Sequence, residues 1–149
     1  MSVRIAVLFV HVSAVIVALG GSLFSAFVVT PVLAREVEAP ARIAVARNII
    51  RRQGATVLSA MAILVITGMI NLMYFGFSNL LAVKLILVAI AIGLAIFQYG
   101  SIGARIWRES ARGPSPEIAA MLARFRRVGM MTAGVVFAIV YLSLNLSRG

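Results

Sequence analysis

No cysteine occurs in the 149 residues, which excludes disulfides, thiolate metal sites, iron–sulfur clusters and cysteine nucleophiles. Aspartate is absent too, and the four glutamates, Glu36, Glu38, Glu109 and Glu117, all lie outside the long apolar runs. No carboxylate is therefore placed within an apolar run to relay protons. No HExxH, glycine-rich phosphate loop or nucleophile–base pair can be drawn, so no catalytic residue is assigned. Basic groups other than arginine are equally scarce: there is one histidine, His11, and one lysine, Lys84, against thirteen arginines.

What the chain has in excess is apolar surface. Hydrophobic residues make up 62% and the mean hydropathy is +1.08, where a soluble domain is roughly half apolar. One soluble core of this size cannot hide that much, and lipid is the natural solvent for the remainder. The net charge of +10 falls between the apolar runs. It is read as topology and contact with anionic lipid, not nucleic-acid binding, for which no groove-reading or base-stacking motif is present.

A membrane span needs ~20 predominantly apolar residues, and four windows qualify, at about 5–30 (ending near Pro31), 54–75, 80–100 and 128–147. Helices are expected, because lipid cannot satisfy backbone polar groups, and no period-two alternation suggests a barrel. The first run is about twice a signal-peptide core in length and is read as a span. Arg35, Arg42, Arg47, Arg51 and Arg52 lie between windows one and two, and Arg105, Arg108, Arg112, Arg124, Arg126 and Arg127 between windows three and four. The short link GFSN has none and the termini have only Arg4 and Arg148. This asymmetry places both long loops inside and both termini outside. Pro40 at a first helical turn, with Ile43, Ala46 and Ile50 on one side, predicts a helix in the first loop. Ser115 as N-cap, Pro116 and Glu117 predict another that runs into the fourth span. The expected architecture is a single all-α domain over residues 1–149, an integral membrane four-helix bundle with N-out/C-out topology and cytoplasmic amphipathic helical extensions. Those extensions lie on lipid headgroups or dock a partner. A bacterial inner membrane is the expected location.

Ionisable residues within a span are costly and direct attention to function. His11 lies about seven residues past Arg4 and Lys84 about five past Asn79, roughly 10 Å and 7–8 Å below the same outer boundary. Steps of three and four from His11 give Ala14, Ala18, Gly21, Ser22 and Ser25, a small-residue stripe suited to helix contact. The stripe from Lys84 is Leu87, Val88, Ala91, Ala95 and Gln98. Span two offers Thr67, Asn71 and Tyr74, and span four Gly134, Ala138, Tyr141 and Asn145. An outer-half pocket of His11, Asn71, Lys84, Tyr141 and Asn145 is expected to bind a cofactor. Against this stand a snorkelling lysine and an interhelical histidine hydrogen bond. Met69 and Met73, four apart, could present two thioethers to Cu(I) beside His11, although methionine also fills ordinary apolar gaps.

HVSAVIVALGGSLFSAFVVTPVL, with His11, Gly20, Gly21, Phe24 and Pro31, resembles the first span of copper-resistance D (CopD) type membrane proteins. RRQGATVLSAMAILVITGM, with Thr67-Gly68, resembles their second span, and LLAVKLILVAIAIG, with Lys84, their third. The same histidine and lysine pattern is similar to that of HemJ-type protoporphyrinogen oxidases. The CopD resemblance implies copper handling or transport. The HemJ resemblance implies haem b on His11, with Lys84 linked to activity. The chain departs from the HemJ-type pattern at VLAREVE after Pro31 and at RFRRVGMM, where that type carries Arg-x-x-Asn-Glu, which counts against oxidase activity. A third reading is a non-catalytic accessory subunit of a larger membrane complex. Glycine-bearing helix faces also allow a homo-oligomer.

Overall fold

The computed structural model describes residues 3–75, 79–113 and 115–146. They are all-α, with no strand among the described residues. The first rod is α1 (Val3–Phe24), a π-helical turn (Ser25–Val29) and α2 (Thr30–Glu36), without a break. The expected stop near Pro31 is thus carried past. Proline has no N–H for an ordinary helical bond, and the wider π turn just before it absorbs the mismatch. The backbone N–H of Thr30 donates to Ser25 O, and its hydroxyl donates to the same carbonyl at 2.8 Å. The rod ends at Val37, which is extended.

The first-loop helix and the second span form one helix, α3 (Ala39–Phe75), of 37 residues, about 55 Å at 1.5 Å per residue. The third rod is α4 (Asn79–Ile96), a second π-helical segment (Phe97–Gly103) and α5 (Ala104–Glu109), closed by a 3₁₀ turn at Ser110–Arg112. Gly113 follows with φ 103°, a conformation that favours glycine. Ser115 caps α6 (Pro116–Leu146) as expected: the Ile118 N–H donates to its Oγ at 3.3 Å. Val3–Leu33, Ala41–Met73, Asn79–Arg112 and Pro116–Leu144 are each long and apolar enough to cross a membrane.

Packing explains why the composition is so apolar. Large side chains point outward: Phe9, Phe27, Ile66, Ile86 and Phe137 are all more than half exposed. Small ones meet between helices. α1 packs along α3 and α4 along α6, with thinner contact between the two pairs. Ala14, Ala18 and Ala60, with Leu64, form the α1–α3 seam. This is how helices associate in lipid, by close backbone approach and not by sequestering large apolar groups.

The larger core joins Val57 and Met61 of α3, Ala95 of α4, Tyr99 and Ile102 of the π segment, Ile106 of α5, and Phe125 and Val128 of α6. Tyr99 stacks edge-to-face on Phe125 at 5.3 Å and 81°. Two glycines make room for this layer. A Cβ at Gly54 would stand 2.9 Å from Tyr99 Cδ1, and one at Gly129 would stand 2.7 Å from Gln98 Nε2. Gln98 cannot easily yield, because it is buried and donates to Phe125 O at 3.2 Å. Gly129→Ala is therefore expected to destabilise the detergent-solubilised protein by about 1–3 kcal/mol, the usual range for overpacking. Gly134→Ala, where nothing lies within 4 Å, should be neutral. Thermal unfolding of both variants beside the wild type measures the difference.

Candidate functional site

The α1–α3 seam opens, one turn beyond its alanines, onto the polar residues of interest. Ala14 lies one turn from His11 on α1, which turns the imidazole towards α3. There His11 Nδ1 lies 2.8 Å from Thr67 Oγ1. Thr67 is itself buried and sits 2.7 Å from Ile63 O. Two bare acceptors at that separation would repel, so the hydroxyl proton lies on the Ile63 carbonyl. The hydroxyl then has only lone pairs to offer the imidazole, and Nδ1 must carry the ring proton. The assignment follows from the hydrogen-bond network. It leaves the Nε2 lone pair available to a ligand, the arrangement in which an outer partner fixes the tautomer of a ligating histidine.

The imidazole lies over Gly68, where a Cβ would stand 3.6 Å from His11 Cε1, in ordinary contact. Asn71, one turn beyond Thr67, has a buried Oδ1 without a hydrogen-bond partner. Lys84 of α4 is half-buried and lies within electrostatic reach of His11. His11 of α1 and Thr67 and Asn71 of α3 thus share one region, with Lys84 of α4 in electrostatic reach of it. Around Lys84 the expected stripe holds, with Ala91, Ala95 and Gln98 buried.

Other expected members do not join them. Tyr141 is 68% exposed, on an outward face of α6. Met69 and Met73 are 65% and 86% exposed, and at 100° per residue both lie well round α3 from Thr67. The two thioethers therefore face away from His11. The side chains of Tyr74 and Asn145 lie outside the described residues. Among the described residues no group of three or more His, Cys, Asp or Glu side chains could hold a metal.

Sequence reasoning missed one cluster. At the other end of α3, the guanidinium carbons of Arg47 and Arg51 lie 4.5 and 5.3 Å from the centre of the Trp107 ring. The four-residue spacing of the two arginines and the presence of a single tryptophan were the available signals. Nothing in the sequence indicated that α5 would bring Trp107 to them. Compared with protein-family models, curated proteins and solved structures, the chain matches none.

The hydrogen-bond assignment has a direct check, because the protein's sole histidine gives a single set of imidazole ¹⁵N resonances. The Nδ1-protonated tautomer is expected in the wild type and in Thr67→Ser. In Thr67→Val the bias is expected to be lost, with Nε2 protonation appearing. An unchanged spectrum in Thr67→Val would show that Thr67 does not set the tautomer.

Proposed function

We propose that this chain is a CopD-like multi-pass membrane protein whose His11 and Lys84 hold a carboxylate-bearing cofactor, haem b, near the outer membrane face. The observation that carries this reading is the commitment of His11 Nδ1 to Thr67, which leaves Nε2 as the ligating atom. Of the two cofactors implied by resemblance, Lys84 favours haem. An ammonium within electrostatic reach of the imidazole opposes a bare copper cation and favours an anionic partner such as a propionate. Asn71 Oδ1, buried without a partner, accepts a hydrogen bond from any donor on the bound molecule.

His11 would hold the haem iron through Nε2, and any further ligand would come from another side chain or from a second copy of the chain. Haem supplies redox chemistry wherever it binds, but the spans carry no carboxylate to exchange protons with it, so we propose no oxidase step. In this reading the arginine-rich ends face the cytoplasm of a bacterial cell and both termini lie outside, because eleven arginines fall on one side and two on the other. The parts of α3 and α6 that exceed the hydrocarbon thickness then project inward as helical extensions.

Copper handling is the second reading, favoured by the likeness of the first three spans to CopD-type proteins. It requires ligands beyond His11, since Met69 and Met73 face away. An accessory subunit without a cofactor is the third.

An absorption spectrum and metal analysis of the detergent-purified protein test the three together. A Soret band lost in His11→Ala and weakened in Lys84→Ala is expected. Stoichiometric copper without a Soret band would replace haem by copper. Neither signal, in protein purified without chelator, would favour the accessory subunit. Orientation is tested separately with cysteines introduced by Ser78→Cys and Ser110→Cys. An impermeant thiol reagent is expected to label the first from outside and the second only from inside, and the reverse pattern would overturn the topology.

A further inference from the structure

A recess of the molecule lies far from His11. It is a groove of about 820 Å³ between α3 and the third rod, along the π segment and α5. Its upper rim carries Arg47, Arg51 and Arg108 with Trp107, and its floor runs over Gly54, Leu58 and Gly100 to Tyr99. The eleven helical steps from Arg47 to Leu58 rise about 16 Å, so the groove passes from a cationic mouth into the apolar depth of the bundle.

The mouth is short of anions. Arg112 pairs with Glu109, and no carboxylate lines the groove. Two guanidinium groups share the Trp107 ring, an arrangement of like charges that an anion between them relieves. Arg47 Nε is buried without a hydrogen-bond partner. Guanidinium forks match phosphate oxygens geometrically, and basic pockets between spans bind anionic lipid headgroups. Beyond the arginines the groove continues over Gly54, Leu58 and Gly100, far enough for the start of an acyl chain, which a soluble phosphate would leave unfilled.

We propose that this groove is a binding site for an anionic phospholipid. The phosphodiester sits between Arg47, Arg51 and Arg108 at the Trp107 ring, and an acyl chain runs along Gly54, Leu58 and Gly100. The proposal does not depend on what His11 binds.

The only tryptophan of the chain lies in the mouth, so its fluorescence reports on the site. The full-length protein in mild detergent is titrated with phosphatidylglycerol brominated on its acyl chains, and separately with brominated phosphatidylcholine. Quenching of Trp107 is expected at lower concentrations of the anionic lipid. That preference should fall roughly fivefold for each of Arg47→Gln and Arg51→Gln. Arg126→Gln, outside the groove, should leave it unchanged. Equal quenching by the two lipids in the wild type would overturn the proposal, and this comparison needs no variant to fold. So would a preference unaltered in both groove variants. Displacement of the brominated lipid by glycerol phosphate as effectively as by unlabelled phosphatidylglycerol would assign the groove to a soluble phosphate instead.

Discussion

In hydrocarbon a backbone carbonyl or amide has no water to bond, so every irregularity in a spanning helix must be satisfied from within the protein. This chain shows how far that rule reaches. Around Pro31 the helix widens into a π turn, and the Thr30 hydroxyl adds a bond to Ser25 O. Elsewhere the hydroxyls of Ser22, Thr132 and Ser143 donate to the carbonyls of Ala18, Val128 and Ile139 on their own helices. Thr67 does the same with Ile63. The habit is local, but at Thr67 it has a consequence across helices. A hydroxyl whose proton is spent on its own backbone can only accept from His11. The constraint that keeps α3 intact therefore also selects the tautomer of the imidazole and exposes Nε2.

A second consequence of an apolar solvent is the inversion of the usual size pattern. Phe9, Phe27, Ile66, Ile86 and Phe137 face outward while Ala14, Ala18 and Ala60 occupy the α1–α3 seam, although Ile102, Ile106, Ile118 and Phe125 are buried. Close seams leave little internal space, so a polar side chain between helices must find a partner at once. Gln98 does so on Phe125 O, and Gln53 donates to Gly21 O at 2.9 Å. Asn71 Oδ1 does not, and neither does Gln53 Oε1; of the two, Asn71 lies one turn from Thr67.

The parts of this arrangement legible in the sequence are those fixed by local periodicity. Four apolar runs gave four long helices, and Ser115 marked the start of α6. The stripe from His11 through Ala14 and Ala18 faces α3, and Thr67 and Asn71 lie on the face that meets it. What periodicity leaves open is the rotation of one helix against another. Tyr141 shares a stripe with Gly134 and Ala138, but the packing of α4 along α6 turns it outward. Met69 and Met73 are neighbours on α3, yet Gly68 and Thr67 claim the contact with α1. Pro31 read as a stop because the rule for an ordinary helix interior does not anticipate a π turn one residue earlier. Trp107 could not be matched with Arg47 and Arg51, since their meeting depends on the second π segment and on the close approach of Gly54 to Tyr99.

The two polar regions are separated by a distance that bears on function. From Arg47 to Thr67 is twenty residues of one straight helix, about 30 Å, the thickness of a bilayer's hydrocarbon core. A bundle that sets Arg47 at one boundary therefore sets His11 near the other. Between them the seams are Ala14, Ala18, Val57, Ala60 and Met61, all buried. Within that interval Gln98 and Thr132 are held on backbone carbonyls, while Gln53 Oε1 and Tyr99 Oη are buried without a partner. The length of α3 thus keeps the arginine groove and the His11–Thr67 contact at opposite ends of the bundle.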